Sequence, residues 1–337
     1  MQSDNLTYHK NFIQALYAVR IACEAPSEAA KVAMGRATAQ NPWFDALQIQ
    51  RAMNAWAHAL FPASISKWLP SPPHNITQKQ VLVVAAGNIP LVGFHDLICV
   101  LASGKRVVLK LSKDDESLMK YFISILIQAM PELEGRIRIE PHIVGAFDAA
   151  IATGSNNSLR YFEYYFRNKP QLLRGHRNSA AVISGKESPE DLALLGEDVF
   201  AYYGLGCRSV SLVFIPESFD LQNLFEAWFP FSDVMQNTRY ANNYHYHRTL
   251  MLLNQVPFLE NGFLMLRASE TLHSPVGVVH YFKYRDKNHL QQMLANNTLN
   301  LQCITGLNFI PFGNVQKPEL WDYADHINTL EFLDSIT

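Results

Sequence analysis

An α/β fold of two doubly wound lobes behind a helical N-terminal region is what this sequence predicts, and three observations carry it. Short apolar runs typical of buried parallel strands alternate with helix-like segments from Val81 onward. The same alternation restarts near Ser179. The chain of 337 residues, 48% hydrophobic and 17% charged, also exceeds the about 250 to 300 residues that one core usually serves.

The elements follow in order. Residues 8 to 61 read as two or three helices, with apolar spacing in Phe12-Ile13-Ala15-Leu16-Val19 and Leu47-Ile49-Met53-Trp56-Leu60. The breaker run Pro70-Ser71-Pro72-Pro73-His74-Asn75 ends that region. Val81 to Ala86 then predicts a strand, Leu91 to Ala102 a helix, Arg106 to Leu111 a strand, and Ser117 to Met130 a helix. Ile137-Ile139 and Ala149-Ile151-Ala152 add two short strands, completing a βαβαβ pattern whose ligands bind at the strand C-terminal ends. From Ser179 the chain gives the strand Ala180 to Ile183, a helix from Pro189 to Tyr203 and the strand Val210 to Ile215. The expected divisions are 1–75 (helical region), 76–178 (first α/β lobe), 179–315 (lobe carrying a candidate nucleophile) and 316–337 (C-terminal segment).

The formal charge of -2 lacks the basic footprint of a nucleic-acid binder, and no apolar stretch is long enough to span a bilayer. The expectation is a soluble, cytoplasmic chain without a signal peptide. The 4 cysteines, Cys23, Cys99, Cys207 and Cys303, lie far apart, which favours free thiols over a disulfide framework. No zinc-type spacing is present, so no metal is expected. His245 and His247 would share one face if Asn243–His247 were a strand, and read as polar strand residues rather than ligands.

Cys207 is the strongest candidate for chemistry. In Tyr203-Gly204-Leu205-Gly206-Cys207-Arg208-Ser209 two glycines bend the backbone before the thiol and a cation follows it. A thiol attacks as its thiolate, which exposed N–H groups and Arg208 would help to form and hold. The alternative is a small buried hydrophobe near a turn.

Four blocks, Ala86-Gly87-Asn88-Ile89-Pro90, Val107-Val108-Leu109-Lys110, Ala152-Thr153-Gly154-Ser155 and Gly206-Cys207, occur in an order and spacing that resembles the aldehyde dehydrogenase superfamily. A fifth block, Pro311 to Gln316 with Leu320 to Asp325 and Thr329 to Phe332, resembles its acyl-CoA reductase branch, which includes the reductase component of bacterial bioluminescence. The match runs over most of residues 80 to 334. It implies an aldehyde-dehydrogenase-like fold in which 76–178 is the cofactor-binding lobe with 1–75 packed on it, and an acyl-enzyme on Cys207, with Asn88 in the oxyanion hole; the alternative for Asn88 is a helix cap. It implies that Lys110 contacts the adenosine ribose and phosphate, and that Thr153-Gly154-Ser155 opens a helix at the cofactor pyrophosphate. NAD-preferring members carry a carboxylate three residues after the lysine. Here Lys113, beside Ser112, stands there and would attract a 2′-phosphate, so NADPH is expected over NADH. Glu270, or Thr271 in a strict alignment, falls on the residue that binds the nicotinamide ribose.

One departure is informative. Hydrolytic members carry a glutamate in a block equivalent to Leu172–Ser179, where this chain has no carboxylate. That argues against hydrolysis of an acyl-enzyme and for a thiol such as coenzyme A, with His176 an alternative acid or base. The expected activity is reduction of a fatty acyl-CoA to an aldehyde. An apolar channel from Phe225, Trp228, Phe229 and Phe231 competes with a plain core reading. The rivals are an acyl-thioester transferase without hydride transfer and a non-catalytic interaction protein. An acyl-activating or acyl-transfer protein partner is open, and superfamily habit makes a homo-oligomer the expectation.

Overall fold

The computed structural model describes residues 2–143 and 145–336. Residues up to His176, joined by those from Lys317 onward, form one compact unit; Arg177–Gln316 form a second.

The first unit opens with helices α1 (Gln2–Glu24), α2 (Glu28–Gln40), α3 (Ala46–Ala59) and α4 (Pro62–Trp68). Ser27 and Asp45 start α2 and α3 by accepting the N–H groups of Ala30 (3.2 Å) and Gln48 (2.9 Å), caps that contribute about 1 kcal/mol each. Pro62 begins α4, where its missing N–H has no intrahelical partner to lose. After the breaker run come β1 (Gln80–Val84), α5 (Phe94–Ala102), β2 (Arg106–Lys110), α6 (Glu116–Ala129), β3 (Ile137–Ile139), β4 (Ala149–Thr153), α7 (Asn156–Phe166) and β5 (Gln171–Arg174). The strands are all parallel in the order β3-β2-β1-β4-β5. Strand alternation explains why β1 is apolar throughout. Val81 and Val83 enter the core that holds Phe12 and Leu16 of α1 with Leu97 and Phe122, while Leu82 and Val84 enter a smaller one with Val108, Ala150 and Phe166.

The second unit contains β6 (Asn178–Val182), α8 (Pro189–Phe200), β7 (Val210–Pro216), α9 (Gln222–Trp228), α10 (Thr238–Leu253), β8 (Leu259–Glu260), β9 (Met265–Ala268), β10 (Val278–Tyr284), α11 (Lys287–Asn297) and β11 (Leu301–Gly306). Its sheet runs β11-β6-β7-β10-β9-β8, parallel except for the β8–β9 edge pair. A reciprocal capping box between Ser188 and Asp191 starts α8. Val213 and Ile215 of β7 pack with Leu195 and Trp228, and Leu212 and Phe214 pack on the other face with Leu301.

The chain then returns to the first unit, where α12 (Thr329–Asp334) places Leu333 in the core of the N-terminal helices. Tyr323 accepts the Trp68 indole N–H at 3.0 Å. Arg174 donates to Thr329 Oγ1 at 2.6 Å and pairs with Asp96 at 2.8 Å, both charges being buried.

The α/β class with parallel sheets agrees with the sequence expectation, but several boundaries do not. The helix expected from Leu91 begins at Phe94, because Leu91 is in the left-handed region (φ +61°) with its N–H bonded to Asp115. The helix expected to reach Tyr203 stops at Phe200. His245 and His247 lie within helix α10, not on a strand. Two residues apart, they are about 200° apart around the helix axis and share no face. Trp228 is fully buried core with its indole N–H on the Leu192 carbonyl, and Phe231 stacks on Phe200 at 5.0 Å, whereas Phe229 is exposed.

Candidate active site

In the first unit the strand order reverses between β1 and β4, so their C-terminal ends flank the point where doubly wound sheets take ligands. Gly87 follows β1, and a Cβ built there would sit 2.4 Å from Ser112 Oγ and 3.2 Å from Asp114 Cβ. Only glycine allows this approach of the β1 and β2 ends. Lys110 is the last residue of β2. Ser112 caps a short 3₁₀ turn, Lys113–Asp115, by accepting the Asp114 N–H at 3.3 Å. Lys113 is exposed on that turn.

Asn88 lies exposed in the bend after β1. It does not cap α5, whose N-cap is Gly93 with no side-chain bond. Asp115 holds this bend by accepting the Leu91 N–H at 2.7 Å. Burial drives the Asp115 carboxyl well above its ordinary range, against the pull of that N–H. Thr153 ends β4, and Ser155 is the N-cap of α7, accepting the Ser158 N–H at 3.3 Å. The Thr153-Gly154-Ser155 block therefore opens a helix at a strand end, a geometry suited to anions.

In the second unit Cys207 is half-buried in the turn between α8 and β7. Three consecutive residues before it, Tyr202, Tyr203 and Gly204, are left-handed (φ 52°, 58° and 77°). For the two tyrosines this costs on the order of 1–3 kcal/mol each, strain that persists only where the surroundings hold it. Both tyrosines are buried. Ser179, fully buried on β6, donates to the Cys207 carbonyl at 2.9 Å and accepts the Cys303 N–H at 3.2 Å. Cys303 Sγ lies 3.0 Å from the same oxygen. Since the serine proton goes to Cys207, the thiol proton must point toward Ser179.

The thiols differ in accessibility. Cys23 and Cys99 are buried; burial pushes the Cys23 thiol up to about 12 and that of Cys99 well above its usual range. Both are unsuited to nucleophilic work. Cys207 and Cys303 are half-buried. Glu270 is exposed in the bend after β9, between Ser269 and Thr271, whose hydroxyls are 2.8 Å apart. His176 is exposed, and Gln171–Ser179, which makes β5 and the start of β6, carries no carboxylate. The expected residues thus fall in two groups, Asn88, Lys110, Ser112, Lys113, Thr153, Gly154 and Ser155 in the first unit, Cys207 and Glu270 in the second. Among the described residues no cluster of three or more His, Cys, Asp or Glu side chains is set to hold a metal, and no helix is long and apolar enough to cross a membrane.

Sequence reasoning missed Asp198, buried on the last turn of α8. It accepts the N–H groups of Gly313 (2.8 Å) and Val315 (3.3 Å), with Thr305 Oγ1 at 3.4 Å. A signal existed: a carboxylate at a helix C-terminus opposes the helix dipole and calls for donors from elsewhere. Arg208, the cation that follows the thiol, donates its Nε to the Val315 carbonyl. Burial lifts the Asp198 carboxyl to about 6, the donors from Gly313, Val315 and Thr305 opposing it. Because the folded value lies above the unfolded one of 3.8, this group's stabilising contribution is full below about pH 4 and is lost as pH rises through about 6. Thermal melts should show wild type losing stability relative to Asp198→Asn across that window, with the two running parallel at higher pH.

No protein-family model matches the chain, and no curated protein does. Solved structures do match. An aldehyde dehydrogenase of Mycobacterium tuberculosis complexed with NAD+ is similar over 85% of this chain and 70% of its own, at 14% identity and TM-score 0.62. Aldehyde dehydrogenase 21 from Physcomitrella patens, in complex with the reaction product succinate, is similar over 88% and 73%, at 14% identity and TM-score 0.64. Gamma-glutamyl-gamma-aminobutyraldehyde dehydrogenase from Burkholderia cenocepacia J2315 is similar over 89% and 71%, at 12% identity and TM-score 0.64. The fold is therefore that of the aldehyde dehydrogenases, as the sequence blocks imply.

Proposed function

We propose that this chain reduces a fatty acyl-CoA thioester to an aldehyde with NADPH, through an acyl-enzyme on Cys207. The observation that carries the reading is the half-buried Cys207 on a strained, backbone-anchored turn, in an aldehyde-dehydrogenase fold whose Gln171–Ser179 segment offers no carboxylate to activate water.

The Cys207 thiolate attacks the thioester carbonyl carbon, a C–S bond forms, and the carbonyl electron pair moves onto oxygen. The Asn88 amide and the Cys207 N–H are assigned to that oxyanion, donors worth about 3 kcal/mol each in such a role. When the carbonyl re-forms, the bond to coenzyme A breaks and its thiolate leaves with the electron pair, to be protonated from solvent. The nicotinamide cofactor, when bound, would supply the hydride that converts the acyl-enzyme carbonyl to a thiohemiacetal oxyanion. As that oxyanion re-forms a carbonyl, the C–S bond breaks, the aldehyde is freed and the electron pair returns to the Cys207 thiolate.

The residues present fit a dinucleotide. The glycine cradle at Gly87 and the helix opening at Ser155 flank the strand-order reversal. Lys110, Ser112 and Lys113 would hold the adenosine ribose and its phosphate, Thr153, Gly154 and Ser155 the pyrophosphate, and Glu270 the nicotinamide ribose. Lys113 favours a 2′-phosphate by a charge-assisted contact worth about 1.5–3 kcal/mol. Lys113→Glu should therefore shift kcat/KM from NADPH toward NADH by about 10- to 100-fold. An unchanged ratio in steady-state assays with both cofactors would remove Lys113 from this role.

The reading is tested by intact mass of the protein mixed with medium- and long-chain acyl-CoA, before and after NADPH. The expected result is an acyl-sized adduct that NADPH discharges as aldehyde. An adduct that NADPH leaves in place would replace the reductase with an acyl transferase, and the absence of any adduct would overturn acyl-CoA as the donor.

A further inference from the structure

Two separate contacts tie the Cys207 turn to one loop more than a hundred residues later in the chain, and a third braces the turn internally. Arg208 Nε donates to the Val315 carbonyl, Gln316 Nε2 donates to Ser209 Oγ at 3.2 Å, and Ser209 Oγ reaches back to the Ala201 carbonyl at 3.4 Å. The loop is in turn fixed by a single buried side chain. Asp198 accepts from Gly313 and Val315, one N–H on each carboxylate oxygen. All of these residues lie in the second unit. Asp198 stands on the helix immediately before the left-handed Tyr202-Tyr203-Gly204 run, so the chain leaving α8 and the loop that grips Arg208 and Ser209 share one anchor.

We infer that Asp198 is a positioning residue for the nucleophile: by clamping loop 311–316 to the end of α8, it fixes the strained turn that aims Cys207. This rests on the reading of Cys207 as the acylated thiol. A carboxylate suits the task because it is an acceptor at both oxygens. Asparagine has the same shape but would set its NH₂ against one of the two backbone N–H groups, so it cannot hold both arms of the clamp. The left-handed tyrosines supply a reason for the clamp, since such a turn relaxes unless its surroundings over-determine it. Displacement of a nucleophile by about 1 Å lowers reaction rates by about 100-fold.

The test compares full-length wild type with Asp198→Asn and Gln316→Leu. Three quantities are read: the rate of acyl-adduct formation from acyl-CoA, the KM for NADPH, and the rate of Cys207 alkylation by iodoacetamide followed by peptide mass. Asp198→Asn should slow both Cys207 reactions by about 10- to 100-fold, with the NADPH KM unchanged, a split that general destabilisation would not produce. Gln316→Leu leaves Asp198 intact and cuts one tie to Ser209; it should slow the same reactions by a smaller factor and takes over the test if Asp198→Asn does not fold. Rates within twofold of wild type in a folded variant would overturn the clamp while leaving the acyl-enzyme reading untouched. If wild type itself forms no acyl adduct, the acyl-enzyme reading falls, and the iodoacetamide rates still decide whether Asp198 sets the reactivity of Cys207.

Discussion

Cys207→Ala is expected to abolish aldehyde formation, lowering kcat by about 10⁴-fold or more, because losing the nucleophile of a covalent mechanism removes the pathway and not merely one contact. The fold should survive. The anchor from Ser179 goes to the Cys207 backbone carbonyl, and the half-buried side chain leaves little cavity when truncated. Nucleotide binding should also survive, since the residues assigned to the adenosine and pyrophosphate lie in the other unit. Single-turnover aldehyde formation and cofactor binding, measured on the same preparation, separate these effects. A variant that binds NADPH and still makes aldehyde at the wild-type rate would end the acyl-enzyme mechanism.

The largest stability loss is expected from Asp96→Ala. Arg174 is buried and paired with Asp96 at 2.8 Å. Removing the carboxylate leaves a guanidinium without its countercharge, and breaking a buried pair on one side costs about 3–5 kcal/mol. A melting temperature lower by about 10 °C follows for a domain of this size. Thr329, which accepts from the same guanidinium at 2.6 Å, ties α12 to the sheet of the first unit and should loosen with it. The double change Asp96→Leu with Arg174→Met should recover most of the loss, because an apolar pair of similar volume carries no desolvated charge. Urea unfolding of wild type and the two variants checks this; equal stability of Asp96→Ala and wild type would mean that the pair is not desolvated.

Much of the architecture was legible in the chain because the parallel strands are continuous apolar runs. Val81 to Val84 and Val107 to Leu109 can be buried on both faces only in such a sheet, and Pro70 to Asn75 admits neither helix nor strand. The cysteine turn was legible for a related reason, as Gly204 and Gly206 mark a backbone that bends. Tyr202 and Tyr203 were not. Bulky residues disfavour the left-handed region, so local propensity argues for more helix, and tertiary packing overrules it. Helix α10 was missed because its buried residues, Tyr240, Tyr244 and Met251, are sparse among polar neighbours, and the alternation of Tyr244 to His247 mimics a strand. Asp198 was legible only as a carboxylate toward a helix end, in need of donors that the sequence does not name. Its partners, Thr305, Gly313 and Val315, are brought to it only by the completed fold.

The return of residues 317 onward to the first unit has a consequence for how the protein is made. The chain passes between the units twice, so the second is an uninterrupted insertion and the first is assembled from two segments. On the ribosome Arg177–Gln316 is complete while Leu320 and Leu333, which fill the core of the first unit, have yet to emerge. Domains otherwise tend to fold in order of synthesis. Here the earlier-made unit must wait for the later one, holding the apolar surface around Trp68 and Cys99 open until Leu320 and Leu333 arrive to close it.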